Sequence, residues 1–312
     1  MGTEVSILDC TVTLRSDIGL FEFKIDDSMV KGTLIPIGGN EDKGMGENEM
    51  YTLEFLKEGI LSHVVRESGG QQARIVVIPT ASSIPHEVGQ NYLHAFDKLG
   101  VKHVDVIHIH DRGESERKDF LRLVEQANCV MFSGGDQSNI VNRIGGTMMH
   151  DILIDRYKNE DFVIAGTSAG AMCMSTEMIA GGNVTDALFK GSVRMRDGMG
   201  FIPELIIDSH FIQRGRFGRL AEAVAKHPHL MGVGLAEDTG VIIKNCNDFK
   251  VIGSGMVVLF DPSKLTHNNE EILAPGTPMS MSNLVVHILS NSDMFTIDER
   301  RIGILPMDAA FI

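Results

Sequence analysis

The sequence predicts an α/β fold, a doubly wound and mostly parallel sheet with β-rich N- and C-terminal extensions. Three observations carry that prediction. Short apolar, β-branched runs recur through the middle of the chain, at Thr33–Ile37, Arg74–Ile78, Val104–Ile109, Cys129–Phe132, Phe162–Ala165, Leu205–Ile207 and Gly232–Leu235. Unbroken runs of this length suit strands buried on both faces of a parallel sheet. Amphipathic stretches lie between them at Met50–Glu67, His86–Leu99, Glu116–Gln126, Met148–Lys158 and Arg216–Lys226. Strand and helix therefore alternate over about 200 residues, the pattern of right-handed crossovers on an open sheet.

Each element follows from its pattern. Residues 1–30 alternate polar and apolar side chains, as in Thr11-Val12-Thr13-Leu14 and Phe21-Glu22-Phe23-Lys24, which suits half-buried antiparallel strands. In Met50–Glu67 the apolar positions are Leu53, Phe55, Leu56, Ile60, Leu61, Val64 and Val65, one face of a helix. Residues 240–312 return to short β-rich runs (Val241-Ile242-Ile243, Met256–Phe260, Val285–Leu289) punctuated by Pro, Gly, Asn and Ser. The expected organisation is an N-terminal β extension over 1–30, a catalytic α/β domain over 31–260, and a β-rich extension over 261–312 packed on that domain. No internal repeat or low-complexity segment is visible.

Composition narrows the function. The 312 residues are 43% hydrophobic and 22% charged, which excludes a disordered chain. Lys and Arg total 28 against 42 Asp and Glu, a formal charge of −14. Nucleic-acid binding is not expected, because phosphate contacts need cationic surface. Four cysteines, Cys10, Cys129, Cys173 and Cys246, form neither a C-x-x-C pair nor a disulfide scaffold. Met1–Leu20 carries Glu4, Asp9, Arg15 and Asp17 without an apolar core, unlike a signal peptide. No apolar run approaches the ~20 residues of a membrane span. The expectation is a soluble, cytoplasmic protein.

In doubly wound sheets, sites form at the carboxyl ends of strands. Those ends carry Gly38-Gly39-Asn40, Ser133-Gly134-Gly135-Asp136-Gln137, Gly166-Thr167-Ser168-Ala169-Gly170, Asp208-Ser209-His210 and Ala236-Glu237-Asp238-Thr239. The third is G-x-S-x-G between a buried strand and a small-residue helix, the context a nucleophile elbow needs. Ser168 would stand exposed at a helix N-terminus, with the Ala169 N–H facing a developing oxyanion. A helix-capping serine in a glycine turn is the plainer alternative. A serine needs a base, and His210, just past a strand, is the candidate. The base needs an orienting carboxylate. Glu237 is preferred on position, while Asp238 is the alternative or holds the turn. The order Ser168, His210, Glu237 differs from that of α/β-hydrolases. Gly134-Gly135-Asp136-Gln137 would add a second oxyanion donor from backbone N–H groups and a side-chain amide pointing into the pocket; the plainer alternative is a loop turn into a helix capped by Asp136. His108 and His110, and His227 and His229, lack a carboxylate at ligand spacing, so no metal and no cofactor is expected. Arg214, Arg216 and Arg219 form a basic cluster in an acidic chain. Arg216 and Arg219 share a helix face and oppose the macrodipole, which favours recognition of an acidic substrate.

Taken together, Phe132–Gln137, Gly166–Ala171, Asp208–Phe211 with Arg214, Arg216 and Arg219, and Gly234–Thr239 resemble the cyanophycinase family. These are serine exopeptidases related to peptidase E, on a flavodoxin-like, class I glutamine-amidotransferase-like fold. The resemblance spans roughly residues 31–260. It implies hydrolysis of cyanophycin, a poly-aspartate with arginine on each β-carboxyl, to β-aspartyl-arginine dipeptides. It implies Ser168 as nucleophile, His210 as general base and acid, and Glu237 as orienting acid. Gln137, Asp208, Ser209, Arg214, Arg216 and Arg219 would line the substrate pocket, with Gly135 and Ala169 at the oxyanion hole. It also implies a homodimer without metal. The family commonly carries Gln where this chain has Ser209, and a hydroxyl cannot present the same paired donor and acceptor. A peptidase E-like aspartyl or β-aspartyl dipeptidase and a non-catalytic ligand-binding protein are the alternatives. A glutamine amidotransferase is disfavoured, since the elbow holds Ser and Cys173 should be buried.

Overall fold

The computed structural model describes residues 11–16, 19–24, 30–45, 53–182 and 186–304. Strands β1 (Thr11–Ser16) and β2 (Gly19–Lys24) pair antiparallel as a hairpin. The body then runs β3 (Thr33–Ile37), α1 (Ile60–Glu67), β4 (Arg74–Ile78), α2 (Pro85–Lys98), β5 (His103–Val106), α3 (Lys118–Gln126), β6 (Cys129–Phe132), α4 (Gln137–Ile144), α5 (Met148–Asn159), β7 (Val163–Thr167) and α6 (Ala169–Met172). After it come β8 (Glu177–Gly182), β9 (Val193–Asp197), β10 (Leu205–Asp208), α7 (Phe217–Lys226), β11 (Met231–Leu235), β12 (Thr239–Lys244), β13 (Asp248–Gly253) and β14 (Met256–Asp261). The last strands are β15 (His267–Asn268), β16 (Met281–Ser282), β17 (Val285–Ser290), β18 (Met294–Thr296) and β19 (Arg301–Gly303).

The central sheet has nine strands in the order β19-β18-β13-β12-β3-β7-β6-β4-β5. Its heart, β3-β7-β6-β4-β5, is wholly parallel. Alternate residues of these strands enter opposite layers, as the strand period of two requires. Ile35, Ile75, Val77 and Met131 pack under α1 and α2 with Leu61, Val64, Tyr92 and Phe96. Leu34, Val76, Val130 and Phe132 pack under α3, α4 and α5 with Val124, Ile140 and Leu153. Helices on both faces make the sheet doubly wound, as the sequence predicts.

Two strands depart from the expected single sheet. β10 and β11 pair parallel to each other but belong to a second, four-stranded sheet, β10-β11-β14-β17. The reason is occupancy of an edge: β12 pairs antiparallel with β3 and closes the side on which another parallel strand would have joined. Only Ala236–Asp238 separate β11 from β12, so the chain crosses from one sheet to the other at that point. Boundaries also shift. The strand expected to reach Ile109 ends at Val106, although Ile107 and Ile109 remain buried. The first helix begins at Ile60, with Met50–Thr52 outside the described residues. Cys10 lies outside them as well. No described helix is long and apolar enough to cross a membrane.

Candidate active site

The elbow is formed by backbone crowding. A Cβ on Gly166 would lie 2.4 Å from the Gly170 carbonyl oxygen, and one on Gly170 would lie 2.5 Å from that of Phe132. Only glycine allows strand β7 to turn this sharply into α6. Between them Ser168 takes φ 52° and ψ −108°, a conformation an L-residue adopts at a cost of about 1–3 kcal/mol. Its hydroxyl makes no helix cap. Instead Ser168 Oγ lies 2.9 Å from His210 Nε2, and His210 Nδ1 lies 2.6 Å from Glu237 Oε1. The carboxylate accepts at Nδ1, so the imidazole proton sits there and the Nε2 lone pair faces the serine O–H. The second Glu237 oxygen accepts from Asn40 Nδ2 at 3.2 Å, and the Glu237 N–H donates to Gln213 Oε1 at 3.1 Å.

Three loops from three strands meet on one tripeptide. The Ser168 N–H donates to the Ile37 carbonyl (2.8 Å), that of His210 to Gly38 (2.7 Å), and that of Asp238 to Gly39 (2.9 Å). A Cβ on Gly38 would strike the Ala236 carbonyl oxygen at 1.9 Å, and one on Gly39 would strike the His210 ring at 2.4 Å. Gly38-Gly39, whose part the sequence left undefined, is thus the spine of the site. Asn40, His210 and Asp238, like Ser168, have positive φ (49°, 46° and 46°).

Electrostatics separate the two adjacent acids. Asp238 turns away from His210, accepting from the Asp42 N–H at 3.1 Å and from Ser254 Oγ at 2.6 Å. Burial pushes its carboxyl up to about 6. Burial is also the largest influence on His210 and lowers its pKa. Glu237 opposes that shift, while Arg214 and Arg216 add to it.

The residues open on a cavity of about 620 Å³ lined by Asn40, Glu41, Lys43, Val88, Asn91, Tyr92, Gly134, Gly135, Thr167, Ser168, His210, Arg214 and Glu237. Gly135 has φ +141° and no room for a Cβ against the Ala81 carbonyl. The Gly135 and Ala169 N–H groups have no protein acceptor among the described residues. Asp136 caps α4 by accepting from the Ser138 N–H. Arg214 lines the cavity, and its guanidinium has no hydrogen-bond or ion-pair partner among the described residues.

Other expected pocket residues lie behind the wall. Asp208, with no exposed surface, binds Arg219 through Nε (2.8 Å) and Nη2, and Arg216 Nη1 at 3.1 Å. Arg216 also donates to the Ser209 carbonyl at 2.7 Å. These two arginines therefore brace the His210 loop, and Asp208 offsets their conflict with the α7 dipole. Ser209 is fully buried with its hydroxyl on Met172 Sδ. Gln137 donates its amide to the Ile179 carbonyl at 2.7 Å. A buried carboxylate demands internal partners, and that demand draws Arg216 and Arg219 inward. Cys173 is buried, as expected, and burial pushes its thiol up.

Sequence reasoning missed the pair Glu41 and Lys43. Glu41 is 1% exposed yet ionised, accepting from Tyr92 Oη and Thr167 Oγ1 at 2.5 Å each and from Lys43 Nζ at 2.9 Å. These three partners outweigh burial and keep its pKa below the ordinary value. The charged run Asn40-Glu41-Asp42-Lys43, just past the glycine pair at the end of β3, is the available signal. Nothing in the sequence marks Tyr92.

A model of peptidase family S51 matches residues 50–250. The chain belongs to peptidase family S51. Its relatives include the cyanophycinase of Trichormus variabilis, 35% identical over 272 residues that span 87% of this chain and 88% of the relative. The cyanophycinase of Geminocystis herdmanii is 33% identical over 85% of this chain and 94% of its own. That of Thermosynechococcus vestitus is 32% identical over 86% and 80%. Among solved structures, a peptidase from an acI-B1 Actinobacterium superposes with a TM-score of 0.57 at 19% identity, covering 84% of this chain and 98% of that one. That likeness speaks for the fold alone.

Proposed function

We propose that the protein is a serine exopeptidase that degrades cyanophycin to β-aspartyl-arginine dipeptides through an acyl-enzyme on Ser168. The observation that carries this reading is the continuous chain Ser168 Oγ, His210, Glu237 at 2.9 and 2.6 Å, opening on a cavity. His210 takes the serine proton while Oγ attacks the scissile carbonyl carbon. The Gly135 and Ala169 N–H groups receive the oxyanion. His210 then returns the proton to the leaving amine, and the C–N bond breaks. Water, deprotonated by His210, attacks the ester, and the proton passes back to Ser168 as the product leaves.

Charge supports the substrate class. The carboxylates lining the cavity, Glu41 and Glu237, are both committed to internal partners, while Lys43 and Arg214 present positive charge. The free carboxylates of such a substrate are therefore attracted into the pocket even though the protein carries a formal charge of −14. Curated relatives in family S51 bear the name cyanophycinase, which names the polymer to test. We also read residues 31–260 as the catalytic domain, with the terminal segments as extensions. Association of two copies through the exposed Ile212, Phe217, Met256 and Ile288, in the cytoplasm, completes the reading. Sedimentation velocity checks that association.

The deciding experiment is incubation with purified cyanophycin and mass analysis of products. β-Aspartyl-arginine is expected from the wild type and none from Ser168→Ala. Hydrolysis by that variant would sink the assignment.

A further inference from the structure

We propose that Lys43 is a specificity-determining residue of this site, its ammonium held at the cavity wall to receive a carboxylate of the substrate. This rests on the peptidase reading above and adds to it the group that reads the substrate's free acid.

The argument starts from Glu41. A carboxylate with no exposed side-chain surface is costly unless every lone pair is used. Here Tyr92 and Thr167 take one oxygen each, and Lys43 Nζ approaches at 2.9 Å. Two hydroxyls thus quench the anion from behind, and the Lys43 side chain is 22% exposed at the cavity. Both residues line the cavity, but only the lysine keeps side-chain surface there, so the pair presents its positive partner to a ligand. Nζ also donates to the Glu41 carbonyl at 3.3 Å and sits 5.2 Å from the Tyr92 ring centroid. An ammonium has three donors. Two are committed to Glu41, and the third has no protein acceptor among the described residues.

A lysine needed only to neutralise Glu41 could sit deeper in the wall, away from the cavity. Tethering by two bonds and an aromatic face instead removes the rotamer freedom a free lysine would lose on binding. The same anchor reaches the reaction centre, since Thr167 immediately precedes Ser168 and is held by the other Glu41 oxygen. Lys43 and the nucleophile are therefore referenced to one buried carboxylate. A cyanophycin chain offers two kinds of free carboxylate, that of each arginine and the terminal α-carboxylate of the backbone. Lys43 takes one of them.

The test is a substrate-analogue cycle. A short cyanophycin-type peptide, the same peptide with its arginine carboxylates amidated, and the same peptide with its terminal α-carboxylate amidated are hydrolysed by wild type, Lys43→Gln and Lys43→Arg. Lys43→Gln raises KM for the parent roughly ten- to a hundredfold with kcat nearly unchanged, the scale of one charge-assisted hydrogen bond. That penalty vanishes on the analogue that lacks the carboxylate Lys43 takes, and Lys43→Arg restores most of the loss. A small uncharged serine-directed phosphonate labels Ser168 in Lys43→Gln at the wild-type rate. An equal penalty on all three peptides, or labelling that falls in step with turnover, overturns the proposal by making Lys43 a prop for the elbow. If Lys43→Gln does not fold, the Glu41→Gln/Lys43→Met pair, which removes both charges together, goes through the same cycle with the same criteria. Wild-type enzyme that neither cleaves the parent peptide nor reacts with the phosphonate sinks the peptidase reading itself.

Discussion

Glu237→Gln tests the proposed chain of proton transfers most sharply. Glu237 accepts on both oxygens, from the His210 ring N–H at 2.6 Å and from Asn40 Nδ2 at 3.2 Å. A glutamine has the same shape but only one acceptor oxygen. Asn40 offers a donor, so the new amide oxygen turns toward Asn40 and its NH2 faces His210 Nδ1. The imidazole must then carry its proton on Nε2, which ceases to accept from Ser168. Loss of the correct tautomer in a serine triad costs about 10⁴ in kcat, or about 5.5 kcal/mol of barrier. The double variant Glu237→Gln/Asn40→Ala should recover about fivefold. It removes the bond of about 1 kcal/mol that fixes the amide, which can then rotate its oxygen toward the imidazole. Dipeptide release measures kcat for both variants and for Asn40→Ala alone, which should lose less than tenfold, and thermal unfolding checks that each is folded. A single variant within tenfold of wild type, or a double variant no faster than the single, would falsify the tautomer argument.

Three further outcomes follow from the same geometry. Asp208→Ala leaves Arg216 and Arg219 without their shared anion inside the protein and should lower stability by about 3–5 kcal/mol, read by denaturant titration. His210 acts only when neutral and its folded pKa lies below the usual 6.5, so kcat/KM should rise with pH through a midpoint below that value. In Arg214→Ala the loss of a cation should move that midpoint upward, and an unchanged pH–rate profile would count against the stated cause. Gly39→Ala places a Cβ 2.4 Å from the His210 ring at φ +106°; kcat should fall about a hundredfold in a folded protein, as circular dichroism beside the rate assay would show.

Much of the fold is legible because buried parallel strands announce themselves. Thr33–Ile37, Arg74–Ile78 and Cys129–Phe132 are read to the residue, since an apolar run stopped by Gly38, Pro79 or Ser133 has few other meanings. The second sheet is not legible. Leu205–Asp208 and Met231–Leu235 have the same character as the other strands, and only pairing partners distant in sequence decide which sheet they join. At the site, the triad loops are visible because each pairs glycine or polar residues with a strand end. The inward turn of Asp208, Arg216 and Arg219 is not, because residue type alone does not say whether an acid–arginine cluster faces a ligand or itself. Glu41 hides for the same reason, since its burial depends on Tyr92, a residue 51 positions away.

The geometry of the site is set by backbone before it is set by side chains. Nucleophile, base and acid come from loops after β7, β10 and β11, and the last two belong to a different sheet from the first. Side-chain packing alone would let the two sheets slide and open the 2.9 Å contact on which proton transfer depends. Three successive carbonyls, of Ile37, Gly38 and Gly39, remove that freedom by binding one loop each. Such close approach leaves no volume for side chains, which is why the spine is a glycine pair. It also forces Ser168, His210 and Asp238 into positive φ, because each must bend sharply to offer its N–H to the spine and its side chain elsewhere. Strain held in this way by hydrogen bonds to a rigid strand end is preorganisation, since the serine and imidazole sit at reacting distance before substrate arrives. The side chains of Glu237 and Asn40 then select the tautomer within a frame that the backbone has already fixed.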